Sequence, residues 1–202
     1  MIRRLAAALA LAAVACLGNT ACTPVTVVAG AAAGLGSAAV EERGIEGAID
    51  DTKIRAVISH LWFQQNVEMF QKVTLTIKEG RVLLTGQVAD PEARVNAVRL
   101  SWQAPGVREV INEIQVSDDS SVIDYSRDVV IANTLRSKLL FDSDIRNVNY
   151  SVDVVNGMVY LMGIAQNESE RERVIAHARN IAHVKRVVNY VLLKDERKRF
   201  GS

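Results

Sequence analysis

The sequence predicts an α+β fold made twice in tandem. Each copy reads helix, strand, strand, helix, strand (αββαβ), with two helices packed on a three-stranded mixed sheet. The first observation is a repeat at a step of 77 residues: Gly80-Arg81-Val82-Leu83-Leu84-Thr85-Gly86 lies over Gly157-Met158-Val159-Tyr160-Leu161-Met162-Gly163. Val107-Arg108-Glu109-Val110-Ile111-Asn112 lies over Val184-Lys185-Arg186-Val187-Val188-Asn189, and Asp51 and Ile54 meet Asp128 and Ile131. A period this long suits a small independent module better than a solenoid repeat. The second observation is a hairpin signal at the same place in each copy, Glu79-Gly80 and Asn156-Gly157, between apolar runs. The third is a capping residue opening a helical segment after each hairpin, Asp90-Pro91 and Asn167.

The elements of the first copy follow in order. Ile54, Val57, Ile58, Leu61 and Trp62 recur at helical spacing. Val73, Leu75 and Ile77 alternate with polar residues, as in a half-buried strand, and residues 81–88 return after the turn. Residues 93–103 make the second helix, which Pro105-Gly106 ends. Residues 109–116 close the sheet. One ring of Trp62-Phe63 is expected on the sheet and the other over the interface between copies.

The second copy repeats the pattern. Residues 130–141 form a helix with Ile131, Leu135 and Leu139 on one face, and Tyr150, Val152 and Val154 alternate. Asn167 caps the next helix, with Glu170 at the capping-box position and Val174, Ile175 and Ala178 inward. Residues 186–193 are the last strand. The domains are therefore expected at 46–116 and 126–193, joined by a short acidic linker at 117–125 and followed by a basic tail at 194–202.

The amino terminus has the build of an export signal, residues 1–21. Arg3 and Arg4 precede an uncharged Ala/Leu-rich run over residues 5–18. Both cysteines of the chain, Cys16 and Cys22, lie here, so the folded copies hold no disulfide framework. A cysteine at a signal cleavage site is the attachment point of a lipoprotein. Thr20-Ala21-Cys22 fits that pattern while Asn19 departs from it, and Ala13-Val14-Ala15-Cys16 fits loosely. The plain alternative is an ordinary cleavage site after Ala13-Val14-Ala15 and a soluble product. Cys22 is the preferred lipid attachment, and Thr23 after it favours the outer membrane. Residues 22–45 then form a lipidated Ala/Gly-rich tether; Gly30 and Gly34 have the spacing of packed membrane helices, but the segment is short for a span.

Charge separates the copies. Residues 23–116 hold 9 Lys/Arg against 11 Asp/Glu, and residues 126–202 hold 13 against 9. An anionic partner is expected at the second copy, against the plain reading of an ordinary solvated surface.

These residues resemble the BON domain, a bacterial module of osmotically induced periplasmic and nodulation-related proteins. The resemblance rests on Asp51-x-x-Ile54, Val82-Leu83-Leu84-Thr85-Gly86 and Val107-x-x-Val110-x-Asn112 with their partners in the second copy. The whole chain is similar to dual-BON outer-membrane lipoproteins of division and envelope stress, through Cys22-Thr23-Pro24-Val25, the Ala/Gly tether, Ile49-Asp50-Asp51 and Val159-Tyr160-Leu161-Met162-Gly163. It covers nearly all of residues 20–193; Asn19 and the charged tail depart from it. The resemblance implies αββαβ copies, binding to anionic phospholipid and a role in outer-membrane integrity.

No nucleophilic triad is visible, and His60, His177 and His183 lack metal-ligand spacing, so no enzyme, metal or cofactor is expected. The membrane reading falls on the first helix of the second copy. Val129 and Val130 are aliphatics in a polar approach, and Arg136 and Lys138 stand off the inward face. Such a helix suits the interface of an anionic bilayer; the alternative packs a valine on the first copy. The expected partner is an anionic phospholipid membrane, or an envelope protein complex if the chain is an adaptor, and no nucleic acid.

Overall fold

A computed structural model describes residues 44–117 and 122–196 of the 202. The signal segment, Cys16, Cys22, the tether up to residue 43, linker residues 118–121 and the tail from residue 197 lie outside the described residues.

The first copy begins with α1 (Gly44–Gln65). Its residues Ile54, Ile58 and Trp62, four apart, are buried as one stripe. The helix stops before Asn66, whose side-chain oxygen accepts from Met69 N at 3.2 Å. That cap starts a short helix the periodicity did not announce, α2 (Val67–Lys72), which buries Met69. The antiparallel hairpin β1 (Val73–Lys78) and β2 (Arg81–Val88) follows. Asp90 Oδ1 accepts from Glu92 N at 2.8 Å and opens α3 (Pro91–Ser101). The chain returns parallel to β2, as a helical crossover requires. It does not run unbroken over 109–116 as expected. Glu113 N turns to Leu84 O, and Asn112 Oδ1 accepts from Ile114 N, so the strand splits into β3 (Glu109–Asn112) and β4 (Gln115–Val116). Both pair with β2.

The second copy begins with α4 (Val122–Phe141), which starts inside the expected linker and well before residue 130. Then come β5 (Tyr150–Val155), β6 (Met158–Ala165), α5 (Glu168–Arg179) and β7 (Arg186–Leu193), with β5 antiparallel and β7 parallel to β6. Asn167 caps α5 by accepting from Glu170 N at 3.0 Å. Glu170 does not close a capping box on Asn167. Its carboxylate is buried and accepts from Gln166 N at 2.6 Å and from Arg146 N at 2.8 Å, tying the approach to β5 onto the start of α5. The backbone donors of Gln166 and Arg146 take this carboxylate in place of Asn167 N.

The recurring motif residues have structural duties. The Asp51 carboxylate accepts from Glu79 N and Gly80 N, both at 2.9 Å, and Asp128 accepts from Asn156 N at 2.6 Å and Gly157 N at 2.7 Å. Each first helix thus clamps a hairpin turn whose leading residue, Glu79 or Asn156, is left-handed at φ 56° or 53°. Gly86 and Gly163 let the chain entering the sheet come close: a Cβ would stand 2.2 Å from Lys72 O or 2.3 Å from Asn149 O.

Each copy has its own core between helices and one sheet face. One gathers Ile58, Trp62, Val82, Leu84 and Ala97; the other gathers Leu135, Leu139, Val159, Leu161 and Val174. A third core joins the copies. Leu83, Tyr160 and Met162 are buried together, with Ile111, Met158, Val188 and Tyr190 packed on them. The two sheets therefore meet face to face, and each is covered by helices on its far side. This is why β1 is not half-buried as expected: Thr76 and Lys78 on its other face are buried as well.

Candidate functional site

Helix α4 is where the predicted site residues gather. Ile131, Leu135 and Leu139 hold its inner face to the sheet, so the intervening positions face out. The exposed apolar residues are Tyr125, Val129, Val130 (64% exposed), Leu140 and Phe141 (84% exposed). Val129 and Val130 are both exposed. The matched positions of α1 carry Thr52, Lys53 and Gln64 where α4 has Val129, Val130 and Phe141.

The four predicted residues divide between two flanks of α4. Val130 and Lys138 line one groove with Thr134, Ile181 and His183, against the loop that joins α5 to β7. Lys138 forms no ion pair within the described residues. Val129 and Arg136 lie on the neighbouring stripe, seven residues apart. Arg136 is exposed off the inward face, and its Nη2 also donates to Val152 O at 2.5 Å. Arg55 on α1 grips the matched carbonyl, Leu75 O, also at 2.5 Å, although it sits elsewhere on its helix. Both guanidiniums occupy carbonyls of edge strands, which would otherwise invite strand pairing.

The foot of α4 is neutralised internally. Asp142 Oδ2 accepts from Arg173 Nε at 2.7 Å and lies 2.6 Å from His177 Nε2. These partners hold the Asp142 carboxyl well below the usual range, the Arg173 bond contributing most. His177 is therefore a helix-end residue in an ion cluster. Among the described residues no group of three His, Cys, Asp or Glu side chains could hold a metal ion, and no helix is long and apolar enough to cross a membrane.

Sequence reasoning missed Arg127, Leu140 and His183. The signal for His183 was available: it lies over Gly106, and both take left-handed backbone, φ 68° and 93°. Phe63 does not cover the interface between copies. It is exposed and meets Phe70 edge-on, ring centroids 5.8 Å apart, beside exposed Val67.

The family model for the BON domain matches residues 50–118 and again 127–195. The chain belongs to the BON domain family. The two matches coincide with the two sheet-and-helix units, so each unit is one BON domain. The chain is 40% identical over 152 residues to the uncharacterized protein in the gshII 5′ region of Anaplasma centrale, covering 75% of this chain and 99% of that one. It is 32% identical over 118 residues to the outer membrane lipoprotein DolP of Haemophilus influenzae, covering 58% of this chain and 60% of DolP. It is 24% identical over 143 residues to the osmotically-inducible protein Y of Escherichia coli, covering 70% and 71%. The alignment thus spans less than two thirds of DolP's length.

Proposed function

We propose that this protein is a periplasmic lipoprotein of the outer membrane, anchored through Cys22, that binds anionic phospholipid with its second BON domain and supports envelope integrity. Binding, not catalysis, is its work. The carrying observation is the outer face of α4, where Val129, Val130, Leu140 and Phe141 are exposed beside Arg127 and Lys138. Aliphatic and aromatic groups enter the headgroup boundary, and each nearby cation adds about 1 kcal/mol against an anionic surface. A lipid anchor and a basic, apolar protein surface together provide the two signals that durable attachment needs. DolP, an outer membrane lipoprotein by name, supports the location.

The test is co-sedimentation with vesicles. The chain from residue 22 onward, carrying Cys22→Ser, should pellet with phosphatidylglycerol vesicles and stay in solution with phosphatidylcholine vesicles. Val130→Ser with Phe141→Ser should abolish the pelleting. Mass spectrometry of the native amino terminus should find acyl chains on residue 22; an unmodified terminus would refute the anchor.

A second reading, an adaptor for an envelope assembly or division machine, is favoured by the exposed Phe63, Val67 and Phe70 on the first domain. It gains if vesicle binding shows no preference for anionic lipid.

A further inference from the structure

The groove beside α4 has a built interior that surface contact with a bilayer does not require. It holds about 610 Å³, inside the roughly 300–1,000 Å³ of small-molecule sites. Its floor is apolar: Ile131 and Ile181, both buried, with Ala182 and Val130 beside them. Its rim carries Arg127, Lys138 and His183, and no carboxylate is among its lining residues. Arg127 has an exposed ion pair with Asp124 at 3.4 Å, a contact that solvent screens and that a stronger anion can displace. Apolar floor and cationic rim are the two halves of an amphiphile's complement.

The backbone at the rim points the same way. The first domain has Gly106 where the second has His183. A Cβ on Gly106 would stand 3.2 Å from Ile54 Cδ1, and Ile54 is the partner of Ile131. The second domain nevertheless carries a histidine there, at φ 68°. Glycine takes this conformation freely; histidine is among the few other residues that visit it, at a cost. A side chain kept in a costly conformation at the lip of a groove points to a use for that side chain.

We infer that the groove seats a single monomeric anionic amphiphile. One acyl chain lies on Val130, Ile131, Ile181 and Ala182, and its phosphate is held by Arg127, Lys138 and a ring N–H of His183. This rests on the anionic-lipid reading above and deepens it: the domain takes up one lipid molecule as well as touching a surface.

Calorimetric titration tests it, with the chain from residue 22 onward carrying Cys22→Ser. The probe is lysophosphatidylglycerol below its micelle concentration. Lysophosphatidylcholine and glycerophosphate are the comparisons with a net-neutral head and with a head that carries no chain. The lysophosphatidylglycerol should bind one to one, lysophosphatidylcholine more weakly, and glycerophosphate not measurably. His183→Gly should weaken binding about tenfold, the loss of one charge-assisted hydrogen bond, with a melting temperature no lower than that of the parent. His183→Asn keeps an N–H donor and tolerates the left-handed backbone, so it should retain most of the affinity. Equal binding by His183→Gly, or equal binding of glycerophosphate, overturns the proposal. So does absent binding of monomers while phosphatidylglycerol vesicles still bind, which leaves the surface reading standing. Failure of both monomers and vesicles sinks the two together.

Discussion

Thr76 Oγ1 donates to Asp153 Oδ2 at 2.7 Å, and the two residues stand at the same position of the two BON domains, 77 apart. Tyr190 and Glu113, hydrogen-bonded to one another, are also 77 apart. Leu83 and Tyr160, buried in one cluster, are a third matched pair. Matched residues touch only near a twofold axis. The domains are therefore packed as a dimer within one chain, through the sheet faces their helices leave bare. The side chains differ because the symmetry is approximate: a hydroxyl faces a carboxylate, and a tyrosine faces a glutamate.

Asp153 gives this interface a pH dependence. Burial pushes its carboxyl up, against the pull of the Thr76 bond and of Arg136 and Arg55. A carboxyl raised in the folded state contributes stability below its unfolded value, about 3.9. That contribution is lost as pH rises through the folded value. Asp153→Asn should therefore melt no lower than the parent at pH 7, and the difference between them should shrink on acidification. A large loss of melting temperature at pH 7 would show that the charge itself holds the interface.

Asp142 has the opposite sign. Its carboxyl is depressed by Arg173 and His177, so its contribution is present above about pH 4 and is lost as pH falls further. Asp142→Asn should lower the melting temperature at pH 7, and the difference between the two proteins should shrink steadily as pH falls below about 4, as followed by circular dichroism.

Leu83 has no access to solvent and belongs to the interface core. Leu83→Ala should cost about 2–5 kcal/mol in urea denaturation. Because it lies between the domains, the loss should appear in both domains' transitions. A change confined to the first domain would mean that the two unfold independently.

The cations of α4 should separate in a charge-reversal experiment. Lys138→Glu should reduce binding to anionic vesicles with little change in melting temperature, since Glu is a good helix former at an exposed position. Arg136→Glu should lower the melting temperature too, because the Val152 carbonyl loses its donor.

Glu170 carries two backbone donors from one buried carboxylate. Glu170→Ala should destabilise by roughly 1–3 kcal/mol for each donor left unpaired. Denaturant titration measures it, and hydrogen exchange should quicken at Arg146 and Gln166.

Much was legible in the chain itself. The repeat, the Asn156-Gly157 turn, the Asp90 and Asn167 caps and the inward stripe Ile131, Leu135, Leu139 are local signals, each set by backbone geometry within a few residues. They determined two αββαβ units and placed the exposed valines of α4. What the sequence left open depends on groups distant along the chain. The run Val82-Leu83-Leu84 did show apolar residues on both strand faces, but only the second sheet reveals what covers Leu83. Helical spacing reads Arg136 as an outward cation, and only the folded chain brings the Val152 carbonyl within its reach. His183 and Val130 are far apart in sequence, and only the crossover of α5 sets them on one groove. Local periodicity decides which way a side chain points; tertiary packing alone decides what it meets there.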